Sequence, residues 1–312
     1  MKVITHSGAF TPDQICAISI IYLKDDCLDL ERTRDTSLVE RNREDKRVYL
    51  VDIGHRFEPD LNNYDHSEGQ KRPCGGKYAT TGLVWQTIGR QTIRATLLDY
   101  AEDNLADDVV DEIFNYIDNY LVMGIDAWDN GDYKINGSVK MPVLPAVISS
   151  FNPISGHEDT GDSGFFDAMW LTIEFVASYI ERQIKQSYAF CNNRRIIKDA
   201  LHQSEDGIVV LDRGVKGWAS QLMNIDKGME AKFCVFPSFE GNWMVHAVPE
   251  KFGSRRSRVR FPKSWAGKNG GDLEKVAGVD GSIFCNKGMY IAGNKTRSGA
   301  IEMARRANGS HS

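Results

Sequence analysis

Seven aspartates and histidines lie where this chain is expected to turn, at predicted strand ends or in short loops. They are His6, Asp13, Asp52, Asp65, His66, Asp126 and Asp129. Asp52 directly follows the apolar run of residues 47–51, where a carboxylate is costly unless it is paired or coordinated. Carboxylate oxygens combined with imidazole favour Mn²⁺, with Mg²⁺ as the other candidate. The sequence therefore predicts a divalent metal site built from these side chains.

Each of these residues also has a simpler explanation when it is taken alone. Asp13 lies in the first turn of a predicted helix, where an acid interacts favourably with the helix dipole. His66 has the setting of an ordinary surface histidine, and Asp129 begins an Asp-Asn-Gly turn. Spacing by itself leaves these alternatives open.

The elements that would position these side chains alternate between strand and helix. Residues 2–5, 28–33 and 47–51 have strand composition, and residues 13–22 have helical composition after a Thr-Pro-Asp start. This order predicts an α/β fold with an N-terminal, mostly parallel sheet flanked by helices. In such sheets ligands bind beyond the carboxyl ends of the strands, which is where Asp52 is expected.

The pattern of the chain changes in its last third. Apolar residues recur at helical intervals in four segments, residues 80–97, 107–121, 165–188 and 191–203. Later segments indicate strands, two hairpins about residues 240–242 and 286–288, and a closing helix. We therefore predict two domains: an α/β domain over residues 1–204 and a smaller α+β domain over residues 205–312.

The composition excludes several classes of protein. A length of 312 residues makes two domains the first expectation, and 41% hydrophobic with 26% charged residues excludes wholesale disorder. No stretch approaches the roughly 18 apolar residues of a membrane span. The N-terminus enters structured sequence at once, so we expect no signal peptide. Six scattered cysteines without a Cys-x-x-Cys pair indicate reduced thiols and a cytoplasmic protein.

Charge is distributed unevenly along the chain. Residues 251–312 hold thirteen Lys and Arg against four Asp and Glu, a balance of +9 within a net charge of −5. An acidic larger part joined to a basic segment suits a metal-collecting site together with a phosphate-receiving surface. Ordinary solvated charge that happens to be uneven explains the same numbers, and the sequence leaves both explanations open.

Four segments, in order, resemble motifs of the melanocyte-proliferating-gene exonuclease family, which belongs to the DHH phosphoesterase superfamily. Thr-His-Ser-Gly-Ala-Phe-Thr-Pro-Asp-Gln at residues 5–14 resembles the family's Thr-His-Asn-Gly-x-Phe-His-x-Asp-Glu. Val-Asp-Ile-Gly at residues 51–54 and Tyr-Asp-His-Ser at residues 64–67 are similar to its Val-Asp-x-Gly and Tyr-Asp-His-His. Asp-Ala-Trp-Asp-Asn-Gly at residues 126–131 is similar to its Asp-Ala-x-Asp-Asn-Gly. Further matches follow at residues 151–153, 166–169, 261–267 and 293–300.

The resemblance implies a Mn²⁺-dependent hydrolase of phosphodiester bonds that acts as a 3′-to-5′ RNA exonuclease. It also implies that residues 1–204 form a DHH-like metal-binding phosphoesterase domain and that residues 205–312 form a substrate-binding domain. One ion would be held by the equivalents of four residues, Asp13, Asp52, His66 and Asp126. A second ion would use His6, residue 11 and a shared Asp52. Asp52 and His66 would take part in catalysis, and Ser67 stands at the position of a second, phosphate-contacting histidine.

Two departures from the family pattern make its metal motifs degenerate in this chain. Thr11 stands where the family has histidine, so the second ion loses a ligand and a single tightly held metal is the expectation. Ser67 removes the other imidazole. His55 and His157 lie in polar loops and could supply an imidazole in space, but nothing in the sequence places them there.

Phosphate binding is predicted for basic residues and a glycine turn near the C-terminus. Arg258 and Arg260 alternate on a predicted strand and would share one face, although a basic edge strand kept soluble by its charge explains them equally well. The turn before the last helix is the second candidate, comprising Gly293, Asn294, Lys295 and Arg297.

Three functions follow from these residues. The leading hypothesis is a metal-dependent phosphodiesterase acting on short RNA, a DNA end or a small nucleotide. The alternatives are a catalytically impaired homologue that sequesters a nucleotide or RNA end, and a small-molecule phosphatase or pyrophosphatase. The sequence leaves a homodimer open and predicts no membrane association.

Overall fold

The computed structural model describes residues 1–101, 105–134, 142–251, 254 and 256–310. The chain divides into two compact units, Met1–Ala189 and Phe190–Ser312. The expected domain boundary near residue 205 stays a prediction. Within the described residues, no helix is both long enough and apolar enough to cross a membrane.

The first unit is built on a five-stranded, mostly parallel sheet. Its strands are β1 (Lys2–His6), β2 (Asp29–Thr33), β3 (Val48–Val51), β4 (Phe57–Glu58) and β5 (Asn63–Tyr64). They lie in the order β2-β1-β3-β5-β4, and every neighbouring pair is parallel except β4 with β5. Thr5 of β1 pairs with Val51 of β3, so the carboxyl ends of these two strands lie side by side. The predicted α/β fold is confirmed.

Seven helices of the described chain belong to this unit or begin in it. They are α1 (Pro12–Asp25), α2 (Thr36–Asn42), α3 (Thr80–Leu97), α4 (Asp107–Ile117), α5 (Met123–Asp129), α6 (Leu144–Ser149) and α7 (Asp162–His202). A π-helical segment, Asp118–Val122, joins α4 to α5. The two helices predicted over residues 165–188 and 191–203 are one helix, α7.

Helix α2 was not predicted, because its seven residues are too short for a clear hydrophobic period. It buries only Val39, and it begins where the Asp35 carboxylate accepts a hydrogen bond from the Ser37 N–H at 2.8 Å. Such a side-chain cap satisfies one of the unpaired N–H groups at a helix start. The helix therefore depends on a local cap and on one apolar contact.

Helix α1 is buried on nearly all sides and packs against α3. Ile15, Ile18 and Ile21 are fully inaccessible to solvent, as expected for a helix that is apolar around most of its circumference. The Thr92 hydroxyl of α3 donates to the Ile20 carbonyl at 3.2 Å. This packing holds the first turn of α1, which carries Asp13, against the start of α3.

The second unit is α+β. Its strands are β6 (Ile208–Val210), β7 (Phe233–Pro237), β8 (Trp243–Ala247), β9 (Ser282–Cys285) and β10 (Ile291–Asn294), and its helices after α7 are α8 (Trp218–Ile225), α9 (Gly270–Ala277) and α10 (Arg297–Gly309). The strand order is β6-β7-β8-β10-β9, with only β6 and β7 parallel. Its core includes Phe233, Phe261 and Met303. Both predicted hairpins are present.

Candidate metal centre

Asp52 lies directly after β3, at the carboxyl end of the parallel sheet. Its backbone is left-handed, with φ +55°, and its N–H donates to the Tyr64 carbonyl at 2.8 Å. The carboxylate Oδ2 lies 3.3 Å from His6 Nε2, and Oδ1 lies 3.7 Å from His66 Nε2. The Thr80 hydroxyl donates to Oδ1 at 3.3 Å. A conformation that costs about 1–3 kcal/mol thus places this carboxylate between two imidazoles.

His6 is the last residue of β1 and presents Nε2 to Asp52. Its other nitrogen, Nδ1, lies 3.3 Å from the Ser7 carbonyl oxygen. A carbonyl oxygen only accepts hydrogen bonds, so Nδ1 carries a proton whenever this bond is made. Nε2 is then the nitrogen that can coordinate an ion, and the backbone contact fixes the ring orientation as in known metal sites.

Asp13 occupies the first turn of α1, but its carboxylate serves the start of a different helix. Its two oxygens accept hydrogen bonds from the backbone N–H groups of Thr80 and Thr81 in α3, at 2.9 and 2.7 Å. The residue is only 1% exposed. Burial, followed by the nearby carboxylates of Asp52 and Asp129, raises the pKa of Asp13 well above its usual value. A neighbouring cation would relieve this repulsion.

Asp13, His66 and Asp129 form the cluster with the spacing of metal ligands among the described residues. One ligand atom from each lies within 4.8 Å of the others. His66 Nε2 is 3.4 Å from Asp129 Oδ2, and Asp129 is the last residue of α5. Burial and Asp52 raise the pKa of Asp129, against the opposing effect of His66. Asp129 was weighed from the sequence, but it was not among the predicted ligands.

Asp126 has a different environment from the one predicted. Its Oδ2 accepts a hydrogen bond from buried Arg72 Nε at 2.6 Å, and its Oδ1 accepts from the Gly82 N–H at 3.0 Å. Arg72 also donates two bonds to Asp118. A Cβ at position 82 would collide with the Asp126 carboxylate, so only glycine permits this approach. Asp126 therefore lies in an ion-pair network outside the three-residue cluster, and its role as a ligand stays a prediction.

The hydroxyl of Thr11 takes part in a local hydrogen bond. It accepts a hydrogen bond from the Gln14 N–H at 3.0 Å and so caps α1. The Gln14 amide in turn donates to Thr5 Oγ1 at 2.6 Å and to the His6 carbonyl at 3.2 Å. Thr11 and Gln14, which stand where the family motif has His and Glu, thus hold β1 and α1 together at the site.

Ser67 is engaged by its neighbour Asp65. The Asp65 carboxylate accepts bonds from the Ser67 N–H at 2.9 Å and from the Ser67 hydroxyl, and it begins the short helical turn that carries His66. Asp65 Oδ2 also accepts from the His55 N–H at 2.9 Å. His55 Nδ1 lies 3.1 Å from Ser67 Oγ. His55, whose position the sequence left open, is therefore adjacent to Ser67, which stands at the predicted phosphate-contacting position.

An open cavity of about 370 Å³ lies beside Asp52. The polar residues that line it include His6, Arg34, Glu40, His55 and Asp65. Its volume is within the range of small-molecule sites. The cavity therefore offers space for a ligand beside the carboxylates.

Two of the predicted phosphate-binding residues in the second unit are buried among other contacts. Arg258 forms an ion pair with Asp226 and donates to the Ala231 carbonyl at 2.8 Å. The Asn294 amide donates to the Asp280 carbonyl at 3.0 Å, and its oxygen accepts from the Thr296 N–H at 2.9 Å. Both side chains hold loops in place, which explains their types without a ligand.

The remaining predicted residues are more accessible or are small. Lys295 and Arg297 are exposed at the start of α10, and Arg297 lies 5.8 Å from the Trp243 ring. Gly293 is buried under the Phe284 ring. Arg260 is exposed and lines a second cavity of about 460 Å³ together with Arg258. The predicted roles of these four residues in phosphate binding stay predictions.

The fold and the site together define a class of protein. It is an α/β protein in which carboxylate and imidazole side chains lie close together at the carboxyl ends of parallel strands. Residues 2–307 match the family model of the MYG1 exonucleases, Uncharacterised protein family UPF0160. The chain belongs to the MYG1 exonuclease family, as the motifs predicted. Its relation to the DHH superfamily stays a prediction.

Relatives match along almost the whole chain. The human MYG1 exonuclease is 27% identical over 96% of this chain and 84% of its own length. A MYG1 protein of Schizosaccharomyces pombe is 25% identical over 98% and 97%, and one of Chlamydia pneumoniae is 27% identical over 92% and 90%. Among solved structures, a pGpG-specific phosphodiesterase, PggH from Vibrio cholerae, aligns over 99% of this chain and 98% of its own, with a TM-score of 0.29 and 10% identity. That likeness is too low to support an argument.

Proposed function

We propose that the protein is a metal-dependent phosphodiesterase that removes nucleotides from the 3′ end of short RNA or cleaves a small nucleotide. The observation that carries this proposal is the convergence of Asp13, His66 and Asp129 within 4.8 Å of one another, beside the Asp52 carboxylate. The names of the relatives, which are exonucleases in mammals, support a nuclease-like role.

The donor set fits Mn²⁺, and Mg²⁺ less well. Carboxylate oxygens from Asp13, Asp52 and Asp129, with imidazole nitrogen from His66, are the oxygen-rich, mixed ligands that Mn²⁺ accepts. His6 Nε2 lies on the other side of Asp52. When bound, the ion would supply Lewis-acid chemistry at the phosphoryl group and neutralise developing charge.

Residues of the chain would orient the site, exclude water from one side of it and leave space for the substrate. Asp52 would present one carboxylate oxygen beside each of the two imidazoles, and the Ser7 carbonyl would keep His6 in one orientation. Burial of Asp13 behind the start of α3 removes water from one side of the site. The open cavity beside Asp52 would receive the scissile phosphate.

A binding protein without turnover is the second candidate, and Thr11 is the observation that favours it. Its hydroxyl already caps α1, so the second ion of a two-metal mechanism would have only His6 and Asp52 among the predicted ligands. Such a protein would hold an RNA end or a nucleotide and release it unchanged.

The proposal is tested with purified protein, 5′-labelled short RNA, a linear dinucleotide and pyrophosphate, each with Mn²⁺, Mg²⁺ or EDTA. We expect RNA shortened stepwise from its 3′ end with Mn²⁺, and no cleavage with EDTA. Release of phosphate from pyrophosphate alone would indicate the small-molecule phosphatase. RNA that binds in both metal and EDTA but stays intact would support the binding protein and reject the enzyme.

A further inference from the structure

We propose that His55 is a substrate-binding residue of this site, held by Ser67 and Asp65 so that its imidazole contacts the phosphate in the cavity beside Asp52. This inference rests on the proposed phosphodiesterase function and deepens it. It gives the chain an imidazole next to the position where Ser67 stands.

A relay of hydrogen bonds holds His55 on both its backbone and its ring. The His55 N–H donates to Asp65 Oδ2 at 2.9 Å, and the ring nitrogen Nδ1 lies 3.1 Å from Ser67 Oγ. The Ser67 hydroxyl donates to the other oxygen of the same carboxylate. Asp65 is itself buried and receives a third bond from the Ser67 N–H at 2.9 Å. One buried carboxylate therefore positions an exposed imidazole.

The proton positions in this relay decide which nitrogen is available. A carboxylate only accepts, so the single hydroxyl proton of Ser67 goes to Asp65, and the Ser67 oxygen then accepts from His55 Nδ1–H. This leaves Nε2 of His55 for a ligand. With both nitrogens protonated, the ring would donate to Ser67 and to a phosphate oxygen at the same time.

His55 lines the cavity, and its backbone has an uncommon conformation. His55 has φ +55°, in the left-handed region, and follows Gly54 with φ +96°. Non-glycine residues in this region are uncommon and cluster at functional sites. The ring side chain is 87% exposed, so burial of the side chain does not explain the conformation.

The cavity places His55 together with His6 and Arg34, and the carboxylates of Glu40, Asp52 and Asp65 line it as well. His55, His6, Arg34 and Asp52 all line the same space of about 370 Å³. Arg34 is fixed by a bond from its Nε to the Ser7 carbonyl at 3.1 Å. An arginine and an imidazole on the walls suit a mononucleotide or a terminal phosphodiester, which carries one or two negative charges.

The test uses His55→Asn, because asparagine tolerates left-handed backbone and removes only the imidazole. His157→Ala is the matched control, since His157 is an exposed histidine of the same unit. In kinetics with Mn²⁺ and short RNA, we expect His55→Asn to lower kcat/KM about 10- to 100-fold, the effect of losing one hydrogen bond to a charged group. His157→Ala should match the wild type.

A second measurement does not depend on turnover. The imidazole resonances of the metal-free full-length protein are followed by NMR during titration with AMP, and the His55→Asn variant assigns the His55 signal. We expect AMP to shift that signal and adenosine, which has no phosphate, to leave it in place. Ser67→Ala should weaken AMP binding about threefold to tenfold, because the ring loses its orientation.

The outcomes separate this inference from the proposed function. If wild-type protein cleaves no RNA, the proposed function fails, and the AMP titration still tests the phosphate contact. If wild-type protein cleaves RNA while His55→Asn is as active as the control, or if AMP leaves the His55 signal unshifted, the role of His55 is rejected. Loss of AMP binding in Ser67→Ala with full binding in His55→Asn would assign the contact to Ser67 instead.

Discussion

Two groups of buried carboxylates, one in each unit, have opposite environments. In the second unit, Asp226 accepts bonds from the Ala231 and Glu230 N–H groups and pairs with Arg258. Burial opposes ionisation there, but these donors lower the pKa of Asp226. In the first unit, burial and mutual repulsion raise the pKa values of Asp13 and Asp129. Asp226 is paired with a positively charged side chain of the protein itself, whereas repulsion between neighbouring carboxylates persists around Asp13 and Asp129.

The comparison teaches which buried charges serve the fold and which serve a ligand. A pair such as Asp226 with Arg258 has its counter-charge in the chain itself. A group of carboxylates at strand ends, one of them in left-handed backbone, reduces stability unless a cation binds. We therefore assign the first to folding and the second to chemistry, and each assignment can be tested.

The largest expected effect is that of Asp52→Asn on activity. Asparagine keeps the left-handed backbone but removes the charge shared by both imidazoles, so Mn²⁺-dependent hydrolysis should fall about 1000-fold or more. The metal-free variant should melt about 2 °C above the wild type, because carboxylate repulsion is reduced. Kinetics and thermal unfolding measure the two effects, with Asp199→Asn at an exposed position of α7 as the control. If Asp52→Asn stays active and is less stable than the wild type, Asp52 has a structural role and is not a catalytic residue.

The pair in the second unit is expected to affect stability. Arg258→Ala leaves Asp226 buried without its counter-charge, and the free energy of unfolding should fall by about 3 kcal/mol. Arg256→Ala, an exposed neighbour, should change it by less than about 0.5 kcal/mol. Urea denaturation measures both. If Arg258→Ala leaves the stability unchanged and weakens RNA binding, the result would instead support the phosphate-binding role that the sequence predicted for Arg258.

Two aspartates of α5 provide a sharper version of the same comparison. Asp129→Asn should weaken Mn²⁺ binding about 10- to 100-fold and leave folding intact, because the Asp129 carboxylate lies in the cluster beside His66. Asp126→Asn should leave Mn²⁺ affinity within about threefold and reduce stability, because Arg72 loses part of its partner set. Calorimetric Mn²⁺ titration distinguishes them. The reverse result would confirm the ligand set that the family resemblance implies.

The pH dependence of metal binding should follow from the raised pKa values. An acid whose pKa is raised by folding contributes stability below its unfolded pKa, and that contribution is lost as pH rises through the folded value. Where Asp13 or Asp129 is protonated, Mn²⁺ must displace that proton, so each displaced proton strengthens binding up to tenfold per pH unit. Because both pKa values are raised above the usual range of an aspartate, Mn²⁺ should raise the melting temperature more at pH 8 than at pH 5. An equal shift at both values would contradict this.

The smallest effect is expected for the exposed basic residues before α10. Replacing Lys295 and Arg297 together by alanine should weaken RNA binding about fivefold and reduce the salt slope by about 2, if both contact phosphates. Lys275→Ala on α9 serves as the control for lost surface charge. Fluorescence anisotropy at several salt concentrations makes the measurement. An unchanged slope would remove these two residues from the interface.

Much of the fold could be predicted because its signals are local. Apolar β-branched runs marked β1 and β3, and the Thr-Pro-Asp start marked α1. Parallel strands then bring their carboxyl ends to one edge, which is why His6 and Asp52 were expected together. Helix α2 was missed because a single cap and one buried side chain leave no period to detect.

The sequence by itself determined the family and the parallel sheet, and it predicted His6, Asp13, Asp52 and His66, which the structure links through contacts of Asp52 and His66. Only the tertiary structure decided which neighbouring charges were already paired. Asp126 meets Arg72 54 positions away, and Arg258 meets Asp226 32 positions away. His55 reaches Ser67 through a carboxylate on another strand end. The reason is physical: residue type sets what a side chain can bind, but burial and distant partners determine whether that capacity is still free.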